Sequence, residues 1–207
     1  FTNMQSYLRE TGYQKIVADK SFTLKEQGTQ KWGVNDDITF EYLYNDILTK
    51  KESPWFSTFL TLSNHEPFVV PFSKFDDEML NAAAFTDECL GVFIEKLKNT
   101  PEWENLLIIC LPDHGGRYPR NLNINDPKFF YSPMLWLGGA VNEPEKVNLL
   151  MNQSDMAATL LGQLDVDHDD FLFSRDIFSD TYTYPFTFFS FNNGFGFADS
   201  TGVLVYD

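Results

Sequence analysis

Apolar positions along this chain recur at two periods, and the two periods lay out its elements. Ile38, Phe40, Leu43, Tyr44, Ile47 and Leu48 stand at helical spacing, which gathers them on one face of a helix. Asn35 occupies the N-cap position of that helix, and Asp36 and Asp37 suit the positive end of its dipole. Trp32 just ahead of it reads as an anchor for the helix entry. A longer stripe of Ala82, Phe85, Cys89, Val92, Phe93 and Leu97 predicts a helix over 76–98, stopped by Asn99-Thr100-Pro101. Met156, Ala157, Leu160, Leu161 and Leu164 predict another, opening at Gln153-Ser154-Asp155 with Ser154 or Asn152 as cap. A short helix runs to Glu10 and stops at Thr11-Gly12.

Between the helices the pattern turns to continuous apolar or β-branched runs. Residues 55–62 (WFSTFLTL) predict a strand, and residues 13–18 a shorter one. Residues 106–110 form an apolar run that fits a strand buried on both faces of a parallel sheet. Pro112 stops it, because proline cannot donate to a central ladder. Residues 132–137 (SPMLWL) predict a further core strand closed by Gly138-Gly139, and 147–151 a short extended piece. Residues 21–31 and 117–131 read as loops, and 165–170 as an acidic solvated turn holding His168. That turn lacks the ligand spacing and central glycine of an EF-hand. After Thr181, residues 184–191 and 203–206 read as strands of a small antiparallel sheet, with turn residues over 192–202. The whole is an α/β pattern, divided as a body over 1–165 and an appended sheet over 166–207.

With 207 residues and 43% apolar content, 21 of the residues phenylalanine, the chain is long enough to bury a real core. Fifteen basic against 30 acidic residues give a net charge of −15. That argues against a general nucleic-acid binder, which needs a basic face. It leaves a phosphate ester open as substrate, because a bound divalent cation reverses the local field. Cys89 and Cys110 fall in a predicted helix and a predicted core strand, so both read as reduced core thiols. No apolar run of about 18 residues is present, and the opening Phe1-Thr2-Asn3 suggests a cut from something longer.

Two places carry chemistry. Asp113-His114-Gly115-Gly116 follows the 106–110 run at once, and ligands in open α/β sheets collect beyond the carboxyl ends of strands. A carboxylate and a neutral imidazole together suit zinc, manganese or iron. Ser63-Asn64-His65-Glu66-Pro67-Phe68 follows the 55–62 run in the same way. The plainer alternatives are a turn capped by Asp113 and a histidine that serves as a hydrogen-bonding spacer.

Asn64-His65-Glu66-Pro67-Phe68, then Asp87 and Leu90, then Leu111-Pro112-Asp113-His114-Gly115 resemble, in that order, the sulfatase branch of the alkaline phosphatase superfamily. Within it the chain is similar to the lipoteichoic acid synthase and phosphoglycerol transferase group. Gly138, the Trp32-Gly33 entry and the segment from Gln153 to Leu161 extend the match over nearly the whole chain. The resemblance implies an alkaline-phosphatase-like mixed sheet flanked by helices. It also implies phosphoryl or sulfuryl transfer through a covalent Thr, Ser or formylglycine intermediate, on the extracytoplasmic face of a bacterial membrane.

It implies a divalent metal, manganese first, with magnesium, calcium or zinc as alternatives. Asp113 and His114 match the family's paired metal ligands, and His65 a histidine that contacts substrate; Asn64 and Arg117 join it as substrate-binding candidates. The expected partners are a phospholipid headgroup, glycerol phosphate or a sulfate ester, with membrane contact through an upstream segment. The family's nucleophile and remaining acidic ligand lie upstream of these motifs, so no catalytic nucleophile is assigned here and the chain alone is expected to be inactive. Met4 falls where glycerol-phosphate polymerases carry a phosphate-gripping Arg, which leaves another headgroup or a sulfate ester open. The alternative reading is a non-catalytic relative that binds a cell-surface glycan or partner. A nucleotide phosphodiesterase fits less well, because a second metal site has no ligands in view beyond His168.

Overall fold

The computed structural model describes residues 3–28, 32–116 and 121–207. The chain divides into two compact units, Phe1–Leu106 and Leu107–Asp207.

The first unit is helical. After a short α1 (Met4–Glu10), residues 13–18 have no ladder partner among the described residues, where the pattern predicts a strand. The expected loop over 21–31 contains α2 (Leu24–Gln27). A reciprocal capping box stabilises it: the Glu26 N–H donates to the Thr23 hydroxyl, and the Thr23 N–H to the Glu26 carboxylate. The main pair is α3 (Asp36–Leu48) and α4 (Glu78–Leu97), both where the periodicity places them. Phe40 and Ile47 of α3 are buried with Ala82, Phe85, Cys89, Phe93 and Leu97 of α4. The Phe40 ring lies 5.1 Å from Phe93 and 4.6 Å from Phe59. Asp77 caps α4 through the Leu80 N–H, and buried Asn81 accepts from the Lys74 and Phe75 N–H groups, which ties the entry loop down.

Residues 55–62, expected as a strand, form no ladder among the described residues. Phe59 still packs inward, whereas Phe56 and Leu60 stay 72% and 75% exposed. Aromatic and β-branched residues favour extended backbone, but a strand also needs a partner to pair with.

In the second unit, β1 (Ile108–Cys110) pairs antiparallel with β2 (Leu135–Leu137), Ile109 opposite Trp136. β1 is half-buried, short of the doubly buried parallel strand the apolar run predicts. Residues 147–151 form no strand. Helix α5 (Asp155–Gln163) buries Asp155, Ala158 and Thr159. The C-terminal sheet has three strands, β3 (Phe186–Phe191), β4 (Gly194–Asp199) and β5 (Gly202–Tyr206), all antiparallel. β4 occupies residues that read as turn from sequence. Its glycines make room for aromatic rings: a Cβ on Gly196 would lie 2.0 Å from the ring of its cross-strand partner Phe189. Phe189 is buried and stacks on Phe130 at 4.4 Å.

α5 is tied to this sheet by one buried ion pair. Asp155 is fully buried and accepts from Nε and Nη2 of Arg175, and from the Arg175 and Asn152 N–H groups. The guanidinium also donates to the Phe186 carbonyl and lies 3.8 Å from the Phe186 ring centroid. Both cysteines are free thiols.

Candidate functional site

Asn64 and His65 lie in the turn that follows residues 55–62 in the first unit, both exposed. The His65 N–H donates to the Leu62 carbonyl and the Phe68 N–H to the His65 carbonyl, which closes the turn on itself. The ring is set by the Glu66 carbonyl, 2.8 Å from His65 Nδ1 and 2.7 Å from the donating Trp32 Nε1–H. A carbonyl only accepts, so Nδ1 carries the hydrogen, and the lone pair of a neutral ring then falls on Nε2. The Trp32 ring stands 5.2 Å from the imidazole. Trp32 therefore anchors more than the helix entry: it holds the same carbonyl that orients His65.

Below the turn sits Asp36, fully buried at the start of α3. Its Oδ1 accepts from the Leu62 and Ser63 N–H groups at 2.8 and 3.3 Å, and its Oδ2 from the Thr86 hydroxyl of α4 at 2.6 Å. The Asp36 N–H donates in return to the Ser63 hydroxyl at 2.9 Å. From its sequence position alone, Asp36 reads only as a helix-dipole residue. Its link to Ser63 and Thr86 spans separations that no periodicity encodes.

Asp113 and His114 lie in the turn after β1 in the second unit, with side chains 88% and 81% exposed. The Asp113 carboxylate accepts the His114 N–H at 2.9 Å, and His114 Nδ1 lies 2.7 Å from the Gly115 carbonyl. The tautomer argument repeats: Nδ1 donates and Nε2 is free to ligate. That Nε2 is 3.7 Å from Asp113 Oδ2. Two metal bonds of roughly 2.1 Å span such a gap at an opening angle of about 120°. A carboxylate oxygen and an imidazole nitrogen are donor types that suit a divalent cation, and the pair could hold one as two of its ligands. No group of three or more His, Cys, Asp or Glu suited to a metal occurs among the described residues.

The turn is held from two sides. Gln153, just ahead of α5, donates its side-chain N–H to the Pro112 carbonyl. Gly115 passes so close to the 3₁₀ turn Pro127–Phe130 that a Cβ would lie 1.8 Å from the Phe129 carbonyl oxygen. Arg117 lies outside the described residues.

Other candidates fall away on chemistry. Cys89 lines an apolar groove between α3 and α4. Burial first, then the nearby Asp37, Asp36 and Glu88 charges, push its thiol up to about 12, so it is no nucleophile near neutral pH. His168 Nε2 stands 3.9 Å from Asp176, a pair within the 165–170 turn region and its neighbour. No helix among the described residues is long and apolar enough to cross a membrane.

Comparison with known proteins follows the same lines. The sulfatase family model matches residues 1–166. The chain is 25% identical to lipoteichoic acid synthase 2 of Bacillus subtilis over 203 residues, covering 86% of this chain and 31% of the relative. It is likewise 25% identical to lipoteichoic acid synthase of Staphylococcus aureus over 207 residues, covering 86% of this chain and 31% of the relative. A crystal structure of an alkaline phosphatase superfamily protein from Vibrio parahaemolyticus superposes with a TM-score of 0.83 at 26% identity, over 99% of this chain and 52% of that one. The chain thus spans about a third of the length of these synthases, with the α/β fold of the superfamily. It belongs to the sulfatase family, on its lipoteichoic acid synthase-like side.

Proposed function

We propose that the chain is the C-terminal half of the catalytic domain of a metal-dependent phosphoglycerol transferase or sulfatase-like hydrolase. Its substrates are phosphate or sulfate esters, such as glycerol phosphate or a phospholipid headgroup, met at the outer face of the cytoplasmic membrane. Residues 1–165 form the catalytic part and 166–207 the appended sheet, a division in keeping with the family match over 1–166. The observation that carries this reading is the Asp113–His114 pair, with Oδ2 and Nε2 at 3.7 Å and the imidazole tautomer fixed for ligation.

Asp113 and His114 would hold a divalent cation, manganese first and magnesium, calcium or zinc next, that supplies charge to the ester oxygens and activates the nucleophile. The nucleophile and remaining ligands belong to the part of the longer relatives that this chain does not span. His65 binds an ester oxygen or serves the leaving group. In its neutral form Nε2 accepts a proton, and once protonated it donates one at the same atom, while Nδ1 stays on the Glu66 carbonyl. Asn64 and Arg117 are the further substrate-binding candidates.

The test is substitution in the full-length enzyme. Asp113→Ala and His114→Ala should each abolish turnover while leaving the melting temperature nearly unchanged, because both side chains are exposed. Unchanged turnover in both would refute the roles. The isolated chain should bind manganese weakly and release no p-nitrophenol from p-nitrophenyl phosphate.

One observation favours a second reading, a non-catalytic module for a cell-surface glycan or partner. On the outer face of the C-terminal sheet, Phe188, Phe195 and Tyr206 stack at 5.8 and 5.5 Å with rings within 25° of parallel, each at least 40% exposed. Saturable glycan binding with no metal requirement would support it over the enzyme.

A further inference from the structure

Asp36 is a fully buried carboxylate whose hydrogen bonds, among the described residues, come from the Leu62 and Ser63 N–H groups and the Thr86 hydroxyl and from no cation. Burying such a group is costly unless its lone pairs are filled. Here they are filled by two backbone N–H groups immediately ahead of Asn64 and by one hydroxyl from the neighbouring helix. Leu62, whose N–H it fixes, also supplies the carbonyl that accepts the His65 N–H at 3.0 Å. The chain of contacts runs Thr86, Asp36, Leu62 and Ser63, then His65, and on its far side the ring is met by the Glu66 carbonyl and Trp32. The links from Thr86 through Asp36 to Leu62 and Ser63 are hydrogen bonds with defined donors, so the exposed turn, closed by its own backbone bonds, is also held from below by α3 and α4.

We infer that Asp36, with Thr86, is a positioning residue for His65: it locks the 62–65 turn so that Nδ1 reaches the Glu66 carbonyl and the lone pair is left on Nε2. The consequence for catalysis rests on the substrate-binding reading of His65; the positioning itself does not. A merely structural Asp36 would stabilise the first unit without fixing the ring. A positioning Asp36 also sets which nitrogen carries the proton.

The direct readout is the imidazole nitrogen spectrum of the ¹⁵N-labelled chain, with His65 assigned by a His65→Gln variant. In the wild type, His65 should be held as the Nδ1–H tautomer. In Asp36→Ala the folded protein should lose that preference, and the Leu62 and Ser63 amides should exchange at least about tenfold faster, as a 1.4 kcal/mol loss of protection implies. Asp36→Asn, which keeps an acceptor for the backbone N–H groups and a donor for Thr86, should restore both. Should Asp36→Ala fail to fold, Thr86→Val removes only the hydroxyl and should shift tautomer and exchange part of the way. Folded Asp36→Ala or Thr86→Val with the His65 tautomer and both amides unchanged would overturn the inference. In the full-length enzyme, Asp36→Ala should lower kcat/KM about tenfold or more, a tenfold loss being about 1.4 kcal/mol of transition-state stabilisation. A released tautomer with unchanged turnover would uphold the positioning and refute the substrate role of His65.

Discussion

A methyl group at position 115 would sit 1.8 Å from the Phe129 carbonyl oxygen, with the Phe130 Cα also inside 3 Å. Backbone cannot yield as a flexible side chain can, so Gly115→Ala must displace the turn that carries His114. The carbonyl of the same residue holds His114 Nδ1, and its movement frees the imidazole. Manganese affinity of the full-length enzyme should fall about 10- to 100-fold, read by metal titration. Gly116→Ala, with nothing within 4 Å of its Cβ position, is the control and should leave affinity unchanged. At this scale the sequence speaks unevenly. Asp113-His114 stands out in the sequence as a candidate pair because two residue types able to ligate a metal are adjacent and follow an apolar run. The need for Gly115 is half legible: a tight turn calls for glycine, but the close approach of Phe129 comes from a segment fourteen residues away. Asp36, Thr86 and Arg175 are illegible, because their partners are set by tertiary contact and each residue type is common in surface positions.

Among the elements, helices α3, α4 and α5 sit where their stripes put them, since a helix satisfies its own backbone and needs only one apolar face to bury. Strands are less legible because pairing is non-local. Residues 55–62 have strand composition and no ladder partner among the described residues, whereas β4 has a partner and the composition of a turn. The Phe189 ring requires small residues opposite it, which is why Gly196 belongs in a strand. The join between α5 and the C-terminal sheet depends on Arg175. Arg175→Met leaves Asp155 buried without its cation and should cost about 3 kcal/mol, measured by chemical denaturation. The sheet should also respond to acid. Hydrogen bonds from the Thr201 hydroxyl, the Tyr184 hydroxyl and the Thr201 N–H hold the Asp199 carboxyl down to about 2, against an ordinary 3.8. In the unfolded chain Asp199 takes up its proton first as pH falls. Its contribution is therefore complete above pH 3.8 and is lost as the pH falls toward 2. Asp199→Asn should flatten that part of the stability profile.

For the molecule as a whole, family membership fits the charge balance. A net charge of −15 would repel a phosphate or sulfate ester from an unaided surface, and under the proposed function a divalent cation at Asp113 and His114 would supply the local positive field that composition lacks. Two ligands hold such an ion loosely; a four- to six-coordinate site needs more. Metal binding and catalysis are therefore properties expected of the longer protein rather than of this chain alone. The most direct measurement is anomalous diffraction from crystals of the full-length protein grown with manganese. A manganese peak at about 2.1–2.3 Å from both Asp113 Oδ2 and His114 Nε2 is the expected result. A fully occupied manganese site elsewhere, with Asp113 and His114 facing solvent, would contradict the assignment on which the proposed function stands.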